Sequence, residues 1–365
     1  MRLLPLLMIL LGACAPAPSV PTATDMPALT LVPVGEAGIR DRRARFRAIL
    51  CAVTARDGLP PDRGCERALW RLADEPPPEA LPMALAPARL PLHVLIDPGL
   101  AADCAAGIAR PFEDALAAAR AAGYRIEVLP LGNLGGVERN AGLLAGHVGR
   151  MPADDAPLVL LGYSRGASDV IEALLAYPEL RSRVAAFVAM AGTINGSPLA
   201  DRWFSAAGRW ARYLPGAECT PEDDRGIDEL RPSVRLARRA AVPGLPGYSV
   251  VTFVDRDEVS PLLRPTWDVL ARIDPRNDGQ VLAWDQLVPG STLLALLRAD
   301  HLMPIAPVGP LMPWWARGLV NGEDFPRAAV LETVLRLVEE DLLAAGRPPT
   351  ARPAPRTPVP PAAPW

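Results

Sequence analysis

Continuous apolar runs alternate with stretches of helical period through the middle of this 365-residue chain. Leu90–Ile96, Tyr124–Leu129, Leu158–Leu161, Val184–Ala191 and Tyr248–Val254 have the unbroken apolar character of strands buried on both faces, and Ser291–Leu297 contains or borders a sixth. Helical spacing fills the intervals: one stretch over 111–122, one opening at Gly135-Gly136 and running through Val148, and one ending near Tyr177. A last helix is predicted over Arg327–Ala344, apolar at 330, 331, 334, 335, 338 and 342. Strands alternating with helices predict an α/β fold, a mostly parallel central sheet with helices on both faces.

Two further segments carry helical patterns outside that alternation. Over Ile39–Leu72, Phe46, Ile49, Leu50 and Val53 fall on one side, with Arg40, Arg42, Arg43, Arg45 and Arg47 elsewhere. A Gly-Leu-Pro-Pro break at 58–61 separates this helix from a second short one through Ala68, Leu69 and Leu72, a hairpin expected to cap the main domain. Between the fourth and fifth strands, 196–247 is too long for a simple crossover. Its first part has an apolar stripe (Trp203, Phe204, Ala207, Trp210, Ala211, Leu214) in a chain only 5% aromatic, which suits either a lid over a site or a helix packed on the core. The expected organisation is a leader over 1–13, a tether over 14–36, the helical hairpin over 37–75 and a linker over 76–88. The main domain follows over 89–346, with its lid insert at about 196–247, and then a disordered Pro-rich tail over 347–365.

The third strand runs into Gly162-Tyr163-Ser164-Arg165-Gly166, and a helix begins at once. A sharp strand-to-helix turn strains its apex residue and leaves room only for small neighbours, so glycines two positions either side of a serine fit a nucleophile held at the apex. A serine hydroxyl needs an adjacent base, and that base an orienting carboxylate. The chain has three histidines. His93 lies within the first strand and His147 on a helix face, both before the serine, and both suit structural roles. His301, in a loop after the last apolar run, is the only one that follows Ser164. Two carboxylates, Asp278 in Asn277-Asp278-Gly279 and Asp255 directly after the fifth strand, could each reach the carboxyl edge of the sheet. An oxyanion needs two fixed N–H donors, one from the backbone of Arg165 at the start of the elbow helix and one from the loop after the first strand.

Composition narrows the setting. Net charge is −3, the charges are mixed rather than blocked, and all 38 basic residues are arginine, so nothing marks a nucleic-acid surface. No Cys/His cluster suggests a metal, and no organic cofactor is implied. Arg2 followed by the apolar run Leu3–Leu11 reads as an export signal, too short for a mature membrane span. It ends in Leu11-Gly12-Ala13-Cys14, which resembles the lipobox of bacterial lipoproteins. The resemblance implies acylation of Cys14 and a lipid-anchored protein of the cell envelope, on the periplasmic side, with Ala15 suiting the outer membrane. Removing Cys14 leaves Cys51, Cys65, Cys104 and Cys219, enough for two disulfides in an oxidising compartment. Three pairings are possible, and Cys51–Cys65 with Cys104–Cys219 is the expected one.

The elbow, with the order serine, acid, histidine, resembles the α/β-hydrolase superfamily, serine esterase and lipase type, over roughly Leu90–Ala344. The resemblance implies an α/β-hydrolase fold and favours Asp278, with Asp255 in reserve, because Asn277-Asp278-Gly279 some twenty residues before His301 looks like the acid loop of bacterial lipases. Gly99-Leu100 aligns with their His-Gly-Leu oxyanion loop, which implies the Leu100 amide as the second donor, although Pro98 stands where those enzymes place histidine. Met190–Asp201 looks like the segment that leads into their lid. The implied function is hydrolysis of carboxylic esters, lipid esters among the candidates, through an acyl-enzyme on Ser164. An acyltransferase or peptidase using the same three residues, and a non-catalytic envelope lipoprotein using the fold as a binding module, are the alternatives.

Overall fold

The apolar runs become the strands of one parallel sheet. A computed structural model describes residues 39–72, 75–77, 85–100, 111–131, 135–152, 156–201, 225–238, 240–305 and 318–346. The strands are β1 (Arg40–Asp41), β2 (His93–Asp97), β3 (Arg125–Val128), β4 (Leu158–Tyr163), β5 (Val184–Met190), β6 (Gly247–Phe253) and β7 (Thr292–Arg298). They lie in the order β1-β7-β6-β5-β4-β2-β3, and every pairing is parallel. The central strands β4 and β5 are buried at every residue, which is why the sequence reads there as continuously apolar.

Successive side chains of a strand point to opposite faces, and the two cores divide accordingly. On one face Val94, Ile96, Val159 and Leu161 pack with three helices: α1 (Arg43–Arg56), α3 (Glu113–Ala121) and the C-terminal helix Arg327–Ala344. On the other, Leu95, Leu158 and Leu160 meet α4 (Val137–Arg150) and α5 (Arg165–Ala176). This is the α/β-hydrolase arrangement.

The N-terminal segment departs from its expected form in three ways. Arg40–Asp41 adds a seventh strand, parallel to β7 at the sheet edge. The second helix, α2 (Cys65–Ala68), is a single turn. The chain then extends: Leu69 bridges Leu297, Trp70 N–H donates to Leu296 O, and the Trp70 ring stacks on Phe253 at 5.1 Å. Pairing with the sheet edge wins here over helical period, because it satisfies edge groups of β7 and buries an aromatic ring. The third departure is on α1, where Arg43 and Arg47 are as buried as the apolar stripe. Arg47 is tolerated because its whole fork is matched. Nε and Nη2 donate to the Glu75 carboxylate at 2.6 and 3.1 Å, Nη1 to Glu66 at 3.0 Å, and Nη2 also to Trp70 O at 2.9 Å. Cys51 and Cys65 form a disulfide that ties α1 to α2.

Cys14, Cys104, Cys219, the aromatic stripe of 203–214 and the tail lie outside the described residues. No described helix is long and apolar enough to cross a membrane.

Candidate active site

The turn between β4 and α5 forces Ser164 into a rare backbone conformation, φ 55° and ψ −125°. Its surroundings hold it there. Ser164 N–H donates to Met190 O at 3.0 Å, and Ser164 O accepts from Thr193 N–H at 3.1 Å, so the end of β5 and the loop after it grip the apex on both sides. The flanking glycines are steric necessities. A Cβ on Gly162 would fall inside the backbone of Ala167, and one on Gly166 would fall against Asp97.

Three side chains meet at the carboxyl ends of the strands. His301 Nε2 lies 2.8 Å from Ser164 Oγ, and His301 Nδ1 lies 2.7 Å from Asp278 Oδ2. Asp278 is fully buried. Its Oδ1 accepts from the Gln280 and Val281 amides at 2.9 and 2.7 Å, and its Oδ2 from the Thr252 hydroxyl at 2.7 Å. Every bond from protein to this carboxylate is donated, which suits an acceptor facing an imidazole N–H. The histidine loop is fixed in turn: His301 N–H donates to Asp278 O at 2.8 Å, and the Tyr163 hydroxyl donates to His301 O at 2.7 Å. Burial, with Asp278 and Asp300 nearby, pushes the Tyr163 phenol well above its ordinary pKa, so it stays a donor.

The other candidates stand elsewhere. Asp255 is exposed, and its carboxylate lies 3.7 Å from Arg298 Nη2. Asp300 turns away from the imidazole beside it in sequence and accepts from the amides of Ser260, Leu302 and Met303. His93 stays in β2, and His147 on α4 faces Glu127 at 3.5 Å. Among the described residues, the one His/Cys/Asp/Glu group with ligand spacing is Cys51, Cys65 and Glu66, whose two sulfurs are joined in the disulfide.

The loop after β2 lies directly on the serine. Gly99 has φ 85°, and a Cβ there would sit 2.5 Å from Tyr163 O and 3.3 Å from Ser164 Cβ. Leu100 therefore follows a residue in van der Waals contact with the elbow, while Arg165 opens α5 on its other side. A hydroxyl beside an imidazole that a buried carboxylate orients can give its proton to that imidazole, and the carboxylate can hold the imidazolium that forms.

No protein-family profile matches the sequence, and no curated protein matches it. Among solved structures, the metagenomic carboxyl esterase MGS0156 is 38% identical, with a TM-score of 0.79, over 89% of this chain and 100% of its own. The chain belongs to the carboxyl esterases of the α/β-hydrolase superfamily. It is an enzyme, a serine-type ester hydrolase. The match covers a larger share of the esterase than Leu90–Ala344, so the likeness reaches beyond the stretch that the sequence motifs mark. Lipase BlEst2 of Bacillus licheniformis is 20% identical over 59% of the esterase and 86% of its own chain, with a TM-score of 0.46. YbtT, a type II thioesterase of the yersiniabactin pathway, is 17% identical over 61% and 91%, with a TM-score of 0.35. Neither bears on the esterase's chemistry at these levels.

Sequence reasoning reached the elbow, the histidine and both candidate acids. It missed what holds them: Thr252 on Asp278, Tyr163 on the His301 loop, and a buried polar group beneath the elbow formed by Asp97, Asn140, Arg165 and Asp169. The one available signal was a pair of aspartates, one ending a buried strand and one inside the apolar elbow helix, where an unpaired carboxylate would be costly.

Proposed function

We propose that the esterase is a membrane-anchored serine hydrolase that cleaves carboxylic esters through an acyl-enzyme on Ser164. The observation that carries this reading is the His301 imidazole, placed between Ser164 Oγ and the Asp278 carboxylate at 2.8 and 2.7 Å. Ser164 Oγ attacks the acyl carbon while its proton passes to His301 Nε2, and Asp278 holds the imidazolium by accepting from Nδ1–H. The carbonyl oxygen becomes an oxyanion facing the Leu100 and Arg165 amides. As the tetrahedral intermediate collapses, the C–O bond to the alcohol breaks and Nε2–H protonates the leaving oxygen. Water then attacks the acyl carbon, giving its proton to His301. The second collapse releases the acid and returns the proton to Ser164.

The anchor rests on Leu11-Gly12-Ala13-Cys14 and places the enzyme in the envelope with an acyl chain on Cys14. The Cys51–Cys65 disulfide suits that oxidising side of the membrane. A fluorophosphonate probe tests the chemistry: labelling is expected in the wild type, absent in Ser164→Ala and strongly slowed in His301→Ala. Labelling that persists in Ser164→Ala overturns the assignment. Cys14→Ser should move the enzyme from the membrane to the soluble fraction, and unchanged membrane partition overturns the anchor.

A further inference from the structure

Beneath the elbow lies a group of polar side chains that the reaction does not consume. Asp97, Asn140, Arg165 and Asp169 are all at most 1% exposed. They come from three different elements: Asp97 closes β2, Asn140 is on α4, and Arg165 and Asp169 are one turn apart on α5. Arg165 Nη1 donates to Gly135 O at 2.6 Å, and its Nε lies 3.4 Å from Asp169 Oδ2. Asn140 Nδ2 donates to the same Asp169 oxygen at 2.8 Å. The other oxygen of Asp169, Oδ1, is buried and meets no N–H donor. The carboxyl groups of Asp169 and Asp97 are close neighbours, and each raises the cost of charge on the other. Two carboxyl groups can bond only if one carries a proton, since a carboxylate accepts and cannot donate.

Asp97 has a second contact that matters more for catalysis. Its Oδ1 accepts the Gly99 amide at 3.0 Å and packs on Gly166, where a Cβ would lie 2.7 Å from that oxygen. Asp97 therefore touches both strands of backbone that lead to the oxyanion donors: Gly99, which precedes Leu100, and Gly166, which follows Arg165.

We propose that Asp97 is the positioning residue of the oxyanion hole, locked by a one-proton hydrogen bond from the Asp169 carboxyl, so that the Leu100 and Arg165 amides are set by one buried unit. The inference rests on the acyl-enzyme reading above. Three groups besides Asp97 face Asp169: the guanidinium of Arg165, the amide of Asn140, and at longer range the buried guanidinium of Arg235 on the helix Pro232–Ala237. Burial, with Asp97 close by, raises the Asp169 pKa well above its ordinary value despite Arg165, so a proton on Asp169 that faces Asp97 is the arrangement the proposal takes. One proton, two carboxyls and one guanidinium leave the unit neutral, the state a water-free interior favours.

Removing the anchor should blur the donors without altering how substrate enters. In Asp97→Ala, kcat for p-nitrophenyl butyrate is expected to fall roughly 30-fold or more, as when an oxyanion donor is misplaced. KM should change little. Affinity for a phenylboronic acid, whose serine adduct carries the tetrahedral oxygen, should fall in parallel with kcat. Asp97→Asn can accept from Gly99 and donate to Asp169, so it should recover most of the loss. A kcat within threefold of wild type in Asp97→Ala, or a loss of kcat without loss of boronate affinity, overturns the proposal. If Asp97→Ala does not fold, the isosteric Asp169→Asn decides. It should delete one protonated-carboxyl C=O band from the infrared spectrum of the enzyme, and an unchanged band pattern overturns the shared proton. Ser164→Ala run alongside separates the two readings: hydrolysis surviving in that variant fails the acyl-enzyme, whatever Asp97 does.

Discussion

Asp278→Asn tests the assignment of the acid through hydrogen-bond direction alone. The native carboxylate is contacted only by donors: Gln280 and Val281 amides on Oδ1, the Thr252 hydroxyl and His301 Nδ1 on Oδ2, with Gln286 Nε2 at 3.4 Å. An asparagine must put its NH₂ on one side. On the Oδ1 side it would oppose two backbone N–H groups that cannot rotate or reverse. On the Oδ2 side it meets a threonine hydroxyl, which can turn and accept, and an imidazole nitrogen, which can become an acceptor. The second orientation therefore wins. It leaves Nδ1 unprotonated and the proton on Nε2, aimed at Ser164, where a base is required. The loss expected from that tautomer is about 10⁴-fold in kcat, or roughly 5 kcal/mol of transition-state stabilisation. KM should move little, because no binding contact changes, and the thermal midpoint should stay close to wild type. The assay is steady-state hydrolysis of p-nitrophenyl butyrate, with circular dichroism melts on the same preparations. Asp255→Asn is the control, expected within twofold of wild type because Asp255 is exposed and its 3.7 Å contact is to Arg298, which Glu258 already holds. An Asp278→Asn enzyme within tenfold of wild type would refute the reasoning, and so would a large loss in Asp255→Asn.

Two further outcomes concern stability. The Cys51–Cys65 bridge closes a loop with a sequence separation of 14. Losing a crosslink of that size costs about 3 kcal/mol in the chain-entropy view, so Cys51→Ser/Cys65→Ser should unfold at clearly lower urea, and an unchanged midpoint would rule the bridge out as a stabiliser. Glu332 on the C-terminal helix is buried, which alone would raise its pKa. Hydrogen bonds from Arg56 at 2.6 and 2.8 Å and from Arg336 at 2.7 Å outweigh burial and bring it below the ordinary 4.5. A carboxylate depressed in the folded state adds stability above pH 4.5 that is lost as the pH falls through the depressed value. Glu332→Gln should therefore lower the melting temperature near neutrality and converge on wild type in acid, whereas a pH-independent gap would contradict the pairing.

How much of this was legible in the chain depended on whether the signal was local. The apolar runs of β4 and β5 are strands because both sheet faces are covered, and a strand covered on both faces writes itself as an unbroken apolar string. Arg327–Ala344 was readable for the complementary reason, a long helix with apolar positions at helical spacing. The scarcity of histidine marked His301, and the two glycines marked Ser164. Arg40–Asp41 gave no such signal. Two charged residues form a strand only because β7 offers an open edge, a fact about the far end of the chain. Leu69 and Trp70 fail as helix for the same reason, since what they pair with lies more than 180 residues away.

The choice between Asp278 and Asp255 shows the limit most clearly. Both follow β6 in sequence order, and apart from the likeness of Asn277-Asp278-Gly279 to a lipase acid loop nothing in the chain separates them. In space they differ by their surroundings: Asp278 is enclosed by donors from its own loop, from β6 and from Gln286, whereas Asp255 faces solvent and an arginine. An acid that orients an imidazole has to be desolvated enough to act strongly, and bonded enough to remain ionised while desolvated. Those two demands are met by residues far apart in the chain, so they leave no motif. The same holds for Asp97 and Asp169, which lie 72 positions apart and meet only in the folded chain. Enclosed together with Arg165, they become the interior support of the elbow, and the arginine after the serine is thereby explained. In the proposed mechanism its amide serves the oxyanion, while its guanidinium, 3.4 Å from Asp169 Oδ2, offsets the charge of the carboxyls beneath the elbow.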